Sequence, residues 1–185
     1  MNNTLHTVCF TGHRPEDLHL SEQQAKALLR PAIEACVRKG ATNFITGMQR
    51  GIDLWAADIV LELKQSHPEI KLLAAIPFHG DIFTSKWSQA DKQHYTSVLQ
   101  QASGVAYMAK EFNMSAYHAR NRFMIDRSDL VIACWSGKKS GGTYNAVCYA
   151  NKQNTPLVNC YKRKETNSVT KANKETRFVK RETRK

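Results

Sequence analysis

Short apolar runs alternate along the chain with longer segments in which apolar residues recur every three or four positions. The runs predict strands at residues 6–11, 42–46, 70–76, 105–108, 129–135 and 156–160. The segments with helical spacing predict helices at residues 21–40, 52–63, 83–101, 116–127 and 141–151. Strands that alternate with helices in this way are typical of βαβ units. The pattern therefore predicts an α/β fold with one mostly parallel sheet and helices on both faces.

Two prolines predict interruptions in these elements. Pro31 lies inside the first helical segment, where its missing N–H predicts a kink or a broken helix. Pro77 follows the nearly continuous apolar run 70–76 and predicts the end of the third strand. The run itself suits a strand that is covered on both faces, as parallel sheets require.

The loops at one edge of such a sheet carry the candidate chemistry, because ligands bind beyond the carboxyl ends of the strands. Residues 11–15, 47–53 and 136–143 follow the first, second and fifth predicted strands, and each segment contains Gly together with Arg or Lys. Glycine lets the backbone approach a ligand, and free N–H groups at a helix start attract an anion. The three loops together predict a site for an anionic ligand, most economically a phosphate. For any one loop the alternative is a plain tight turn, and for Lys138 and Lys139 it is a solvated pair rather than a phosphate clamp.

Side chains outside the glycine positions add to this predicted site. Arg120 and Met124 are four residues apart and share one helix face, with Asn121 beside them, so the face offers a guanidinium, an amide and an apolar contact. Asp53, at the start of the second predicted helix, either contacts a ligand hydroxyl or only benefits from the helix dipole. His13 is more typical of a turn histidine than of a general base.

Composition and charge predict one domain with a basic tail. A chain of 185 residues that is 42% hydrophobic can bury one substantial core. Residues 161–185 hold ten Lys and Arg against three Glu, whereas residues 1–160 hold 17 against 13 acidic residues. We expect a domain at residues 1–160 and a tail at residues 161–185 that is flexible or marginally helical, because it has few large apolar groups. The alternative for residues 162–185 is an arm that contacts nucleic acid.

Cysteine and histidine spacing favours neither a disulfide framework nor a metal site. The five Cys residues include no CxxC pair, and no His lies at ligand spacing from Cys or carboxylates. No segment approaches the roughly 18 apolar residues of a membrane span, and the first residues lack the pattern of a signal peptide. We expect a cytoplasmic protein without membrane association, without a metal and without a required cofactor.

The motifs of the chain resemble those of a known family, although neither GxGxxG nor GxxxxGK[ST] is among them. The motifs are Thr11-Gly12-His13-Arg14-Pro15, the segment 47–55, Ile76-Pro77-Phe78 with Trp87, Arg120-Asn121 with Met124, and Gly141-Gly142-Thr143 with Ala146 and Ala150. Over roughly residues 5–160 they resemble the YpsA-like family of the SLOG superfamily, which also includes the LOG-type phosphoribohydrolases and the DprA-like proteins.

The resemblance implies a single-domain modified Rossmann fold of the SLOG type and a site for a nucleotide or nucleotide-derived, phosphate-bearing ligand. Together with the loop pattern it indicates a set of candidate ligand-binding residues. These are Thr11, Gly12, His13, Arg14, Gly47, Met48, Gly51, Asp53, Pro77, Phe78, Arg120, Asn121, Met124, Gly141, Gly142, Thr143 and Asn145.

The chain departs from the LOG-type enzymes at the positions of their paired glutamates. Those enzymes carry GG-x-GT followed by two Glu on the helix, and here the two positions fall on Asn145 and Ala146. Cleavage of an N-glycosidic bond needs a carboxylate to guide water or to steady an oxocarbenium-like centre, and Asn cannot ionise. The LOG mechanism is therefore not expected unless Asp53 or Glu16 reaches the sugar, and the candidate catalytic residues are Asp53 and Arg120.

Three functions remain as hypotheses at this point. The first is a module that binds or senses a nucleotide-type ligand without turning it over and signals to a protein partner or through a homo-oligomer. The second is a nucleotide N-glycosidase or related hydrolase. The third is a DNA-associated protein that uses the basic residues 162–185.

Overall fold

The structure, a computed structural model, describes residues 5–161, which form six strands and six α-helices in strict alternation apart from one extra short helix near the start. In chain order these elements are β1 (Thr7–Gly12), α1 (Pro15–Leu18), α2 (Glu22–Arg38), β2 (Asn43–Thr46), α3 (Ile52–Lys64), β3 (Lys71–Phe78), a 3-10 turn (Asp81–Phe83), α4 (Gln89–Gln101), β4 (Gly104–Ala109), α5 (Ser115–Ile125), β5 (Leu130–Cys134), α6 (Gly141–Lys152) and β6 (Leu157–Asn159).

The strands form one six-stranded sheet in the order β4-β3-β2-β1-β5-β6, and every neighbouring pair is parallel. From β1 the chain builds outward through β2, β3 and β4, and it then returns to the other side of β1 for β5 and β6. The direction of building therefore reverses between β1 and β5. Open α/β sheets leave a ligand crevice at this point, beyond the carboxyl ends of the two strands.

Alternate residues of the central strands point into two separate apolar layers. Val8 and Phe10 of β1 pack with Phe44 of β2 in the layer that holds α2 and α3, and the rings of Phe10 and Phe44 stack with their centroids 6.1 Å apart. Cys9, between Val8 and Phe10, lies in the opposite layer with Met124 of α5. Helices thus cover both faces of the sheet, which confirms the predicted Rossmann-like α/β architecture.

Of the kink or break predicted at Pro31, the break is wrong, because α2 runs unbroken from Glu22 to Arg38. Pro31 cannot donate to the carbonyl of Ala27 one turn earlier. Both residues are exposed, so water can bind that carbonyl. The helix is held instead by the buried stripe on its other face and by a capping box in which the Ser21 hydroxyl accepts from the N–H of Gln24 at 3.2 Å.

The predicted end of the third strand at Pro77 is also wrong, because β3 continues to Phe78. β3 outlasts its neighbour β2, whose last paired residue lies opposite Ala74. Beyond that point β3 pairs only with β4, through Ile76 and Phe78 on either side of Pro77. Pro77 thus lies where one side of the strand needs no backbone donor, and such a position tolerates proline.

The helix predicted at residues 83–101 begins later than expected. Its first part is the 3-10 turn, and α4 starts only after Ser88, whose hydroxyl accepts a hydrogen bond from the N–H of Asp91 at 3.1 Å. A serine three residues before a first-turn acid is a helix-start signal that outweighs the apolar spacing upstream. The single-turn helix α1, just after β1, was not predicted either.

Candidate ligand-binding cleft

A cleft of about 540 Å³ opens at the carboxyl ends of β1 and β5, where the building direction of the sheet reverses. Its walls come from the loops after β1, β2 and β5, from α5, and from the start of α6. The structure brings most of the predicted site residues together here, although they are far apart in sequence. Those that line the cleft are Thr11, Gly12, His13, Arg14, Asp53, Arg120, Asn121, Met124, Gly141, Gly142, Thr143 and Asn145.

The amino-terminal end of α6 forms one wall of this cleft. Gly141, Gly142 and Thr143 are its first residues, no acidic side chain lies in the first turn, and the Ser140 side chain makes no capping hydrogen bond. The first backbone N–H groups of a helix have no partner within it, so this end carries partial positive charge. Gly141 has a φ of +84°, which favours glycine at this entry to the helix. The wall is thus suited to an anion.

A buried guanidinium lies in the floor of the cleft. Arg120 of α5 is 8% exposed, its Nη1 donates to the carbonyl of Gly47, and the same nitrogen lies 3.5 Å from Oδ2 of Asp53. Its Nε is buried and has no hydrogen-bond partner among residues 5–161. A buried donor without a partner is costly in a folded protein, and it commonly marks a place where a ligand or an ordered water binds.

Gly47 supports this arginine without lining the cleft. A Cβ at position 47 would meet Oδ2 of Asp53 at 2.6 Å and would collide with Nη1 of Arg120. Gly12 has a similar role at the end of β1, where a Cβ would lie 2.5 Å from the side chain of Ile52. Both glycines are therefore required by close packing, which brings the loops after β1 and β2 together at the sheet edge.

Asp53 is held by the loop that precedes α3. Its Oδ2 accepts from the N–H of Gln49 at 3.4 Å, and its backbone carbonyl accepts from the hydroxyl of Thr46 at 2.8 Å. Burial raises the pKa of Asp53 to about 6, while the charge of Arg120 and the Gln49 N–H act in the opposite direction. Burial also lowers the pKa of Arg120, and Asp53 opposes that change. At neutral pH the carboxylate of Asp53 can accept a hydrogen bond from a ligand hydroxyl.

His13 follows β1 and is 6% exposed. Its Nε2 lies 3.0 Å from the hydroxyl of Ser136, and its backbone N–H donates to the carbonyl of Cys134 at 3.3 Å. Burial lowers the pKa of His13, Asp17 opposes this effect, and Lys138 adds to it. His13 therefore ties the ends of β1 and β5 together and is neutral near physiological pH.

Lys138 reaches across the mouth of the cleft from the loop after β5. Its Nζ lies 3.0 Å from Oδ1 of Asp17 in α1, and both residues line the cleft, whereas Lys139 does not. The hydrogen bond from Lys138 lowers the pKa of Asp17. Lys138 and Lys139 are adjacent and carry the same charge, but only Lys138 lines the cleft. Of the two, Lys138 is therefore the one that can contact an anion bound in the cleft.

Five predicted residues do not line the cleft. Met48 and Phe78 are fully buried in the core, and Pro77 is part of β3. Gly51 precedes α3 with a φ of +89°, and a Cβ there would lie 2.8 Å from Cδ of Pro15. Gly47 is the fifth of these residues. None of the five is part of the cleft lining. Trp87 likewise packs on Phe83, with ring centroids 5.2 Å apart.

An apolar wall of the cleft was missed by the sequence reasoning. Met114, Tyr117 and His118 line it from the start of α5, and Tyr117 packs edge-on against Phe78 with centroids 5.7 Å apart. The segment before α5 follows a strand like the other loops, and that position was the available signal. Unlike those loops, it contains no glycine. The other lining residues outside the predicted set are Phe10, Asp17, Gln49, Lys138 and Ser140.

Sequence comparison decides which family the chain represents. The sequence model of the YspA SLOG family (YpsA) matches residues 8–172. The chain belongs to this family. This confirms the resemblance drawn from the motifs.

Relatives with similar sequences have names that describe no activity. UPF0398 proteins of Bacillus thuringiensis (strain Al Hakam) and Bacillus cereus (strain AH187) are each 29% identical over 154 residues, which is 79% of this chain and 83% of theirs. The similarity to this YpsA-family chain therefore extends over most of the length of each relative.

Solved structures of other proteins share the fold. DNA processing protein A (DprA) from Streptococcus pneumoniae matches with a TM-score of 0.58 and 18% identity, over 83% of this chain and 49% of DprA. The protein TM1055 matches with a TM-score of 0.53 and 12% identity, over 83% of this chain and 72% of its own. The YpsA-family chain therefore spans about half the length of DprA, and these likenesses show a common fold.

Residues 5–161 show neither a cluster of metal-binding side chains nor a membrane-spanning helix. No three His, Cys, Asp or Glu side chains within this range lie close enough together to hold a metal ion. No helix of the same range has both the length and the apolar composition to cross a membrane. The basic tail predicted at residues 161–185 lies, from residue 162 onward, outside the described residues.

Proposed function

We propose that this YpsA-family protein binds a nucleotide or nucleotide-derived ligand through its phosphate, in the cleft between β1 and β5, and does so without turning it over. The observation that carries the proposal is the convergence of the uncapped start of α6 with the buried guanidinium side chain of Arg120 on one cleft. Backbone donors and a cation at one point favour an anion.

The rest of the cleft suits the other parts of a nucleotide. Asp53 offers an acceptor to sugar hydroxyls, and Met114 and Tyr117 offer an apolar surface to a planar ring. The volume of about 540 Å³ lies within the range of small-molecule sites. We place the phosphate of the ligand at the start of α6, in the cleft that Lys138 also lines.

Calorimetric titration tests the proposal. The ligands are a nucleoside monophosphate, ADP-ribose and NAD, with the parent nucleoside as the matched control that lacks phosphate. We expect binding of at least one phosphate-bearing ligand and affinity at least about tenfold lower for the nucleoside, because the anion contacts are lost. Uniformly absent heats at millimolar ligand, or equal affinity for the nucleoside, would contradict the proposal.

Hydrolysis of a nucleotide N-glycosidic bond is the second candidate, and the environment of Asp53 favours it. A buried carboxyl group with a pKa of about 6 is suited to exchanging a proton near neutral pH. Glu16, the other carboxylate considered, pairs instead with Arg50 at 2.5 Å and does not line the cleft. Release of free base and ribose phosphate by the natural chain, but not by Asp53→Asn, would support this candidate over simple binding.

DNA association through residues 162–185 is the third candidate. DNA processing protein A from Helicobacter pylori, which binds single-stranded DNA, shares the fold at 21% identity and a TM-score of 0.54. The observation from this chain is the excess of Lys and Arg in its last residues. Affinity for single-stranded DNA that falls steeply with salt and is lost when residues 162–185 are deleted would support it.

A further inference from the structure

The two edges of the sheet differ in how they are protected against pairing with another strand. At one edge, β6 has three residues and directly follows Pro156. At the other edge, β4 runs for six residues and contains neither proline nor a charged side chain. Proteins protect open edges with short strands, proline or charge, because an unprotected edge recruits a strand from another chain. β6 has two of these protections, and β4 has none of them.

Exposed apolar side chains gather at the β4 edge. Val105 and Tyr107, two residues apart and therefore on the same face of β4, are 43% and 40% exposed. Most other large apolar side chains that are exposed within residues 5–161 lie just beyond the carboxyl ends of β3 and β4. These are Ile82, Phe112 and Met114, of which Met114 belongs to the cleft lining, and Val158 on β6 is the exception.

The backbone of β4 leaves a row of hydrogen-bonding groups facing outward. Ser103 donates to the carbonyl of Leu72 at 2.7 Å, and the carbonyl of Ala109 accepts from His79 at 3.3 Å. Parallel pairing uses alternate residues, so the odd-numbered residues of this segment bond inward to β3. The residues whose N–H and C=O groups point away from β3, with no backbone partner among residues 5–161, are Gly104, Ala106 and Met108.

We infer that β4 pairs with β4 of a second copy of this chain, antiparallel about a two-fold axis at Ala106, and so joins two sheets into one. In this register Ala106 lies opposite Ala106 of the partner subunit, and Gly104 lies opposite Met108 of the partner subunit. Every outward N–H and C=O group of the strand then has a partner. A two-fold axis closes the pair, so assembly stops at a dimer.

The same register covers the exposed side chains. Val105 lies opposite Tyr107 of the partner subunit, and the symmetry repeats this contact. The pair falls at a non-hydrogen-bonded position, where opposite side chains are closest, and pairs of aromatic with β-branched residues stabilise sheets there. Because residues 102–109 contain no charge, no like charges meet across the new ladder. The edge is therefore complementary to itself in both backbone and side chains.

Sedimentation equilibrium of the full chain with one matched pair of variants tests the dimer. Val105→Lys places a charge in the centre of the β4 edge, and Val158→Lys makes the same change at a residue of similar exposure, 45%, on the β6 edge. We expect the natural chain and Val158→Lys to have twice the mass of one chain and Val105→Lys to have the mass of one chain. A natural chain that stays monomeric, or a Val105→Lys chain that stays dimeric, would overturn the inference.

Cross-linking tests the register independently of how well Val105→Lys folds. Opposite residues at a hydrogen-bonded position have Cα atoms about 5.5 Å apart, within reach of a disulfide. With exposed Cys148 replaced by Ser, the Ala106→Cys chain should form a disulfide-linked dimer on mild oxidation, and the Cys148→Ser chain alone should not. A dimer that does not cross-link at position 106 would overturn this register.

Discussion

At the scale of single residues, the cleft depends on a few buried side chains that are held in place by hydrogen bonds, ion pairs and close packing. Arg120 is fixed by the Gly47 carbonyl and by Asp53, both in or beside the loop after β2. The same side chain lines a cleft that also contains the start of α6. The binding geometry is thus built before any ligand arrives, which reduces the entropy lost on binding.

Replacing Gly47 by Ala should destabilise the protein by about 2 to 4 kcal/mol, because the new methyl group would displace the buried Arg120 and Asp53 pair. Gly142→Ala is the matched control, since a Cβ there meets no atom within 4 Å. We expect it to change the free energy of unfolding by less than about 0.5 kcal/mol. Urea denaturation of the two variants measures both values, and equal effects would contradict the packing role of Gly47.

Replacing Lys138 by Ala should weaken binding of a phosphate-bearing nucleotide about three- to tenfold, because Lys138 is one of the cationic residues that line the cleft. Lys139→Ala removes the same charge from a residue outside the lining, so long-range effects are matched. We expect its affinity to stay within about twofold of the natural chain. Calorimetry at two salt concentrations distinguishes a local contact with the phosphate from long-range electrostatic attraction. Equal losses of affinity in Lys138→Ala and Lys139→Ala would argue against a direct contact between Lys138 and the phosphate.

Most of the polar cleft lining could be predicted from residue type and position, whereas the apolar wall could not. Gly12, Asp53 and Gly142 follow strands or open helices, so their nearness to the crevice follows from the fold class. Met114 and Tyr117 share the position after a strand, but their residue types carry no signal, because apolar residues near the start of a helix are usual in any core. Their place in the lining depends on how α5 packs against β3, which only the three-dimensional structure shows.

At the scale of elements, polar side chains join the helices that cover one face of the sheet. Asp58 of α3 contacts His94 of α4 at 2.8 Å through one carboxylate oxygen and Lys26 of α2 at 2.8 Å through the other. The hydrogen bond to Asp58 raises the pKa of His94, while burial and the charge of Lys26 act against it. Three helices are thus connected by a single carboxylate.

This contact should make part of the stability depend on pH. Because the pKa of His94 is raised, its contribution is fully present below its ordinary pKa of 6.5 and is lost as the pH rises through the higher folded value. Between about pH 6 and pH 8, the unfolding free energy of the natural chain should fall relative to His94→Gln by about 1 kcal/mol. His6→Gln, at an exposed site, is the control and should keep the slope of the natural chain. Parallel curves for the natural chain and His94→Gln would rule the contact out.

The order of elements could be predicted from apolar periodicity, and the exceptions share one physical reason. Pro31 and Pro77 each lack a donor, but each occupies a position where that donor is not needed: an exposed helix face and the open side of β3 beyond β2. Single-sequence patterns do not show which side of an element is open. The late start of α4 was predictable in principle from Ser88 and Asp91.

At the scale of the whole molecule, the cleft and the proposed dimer edge lie on different parts of the sheet. The cleft is centred between β1 and β5, and β4 is separated from β1 by β2 and β3. No residue of β4 is part of the cleft lining. Ligand binding and pairing of β4 edges are therefore separable properties.

The monomeric variant Val105→Lys should bind the nucleotide ligand with one site per chain and an affinity within about twofold of the natural chain, because none of the cleft residues moves. Ligand should in turn slow amide exchange at the start of α6 and in the loop after β1, but not in β4. Calorimetry and hydrogen exchange on the same two proteins measure these effects. If Val105→Lys remained folded but no longer bound the nucleotide, binding in the cleft would depend on the second subunit. The conclusion that the two surfaces are separable would then be wrong.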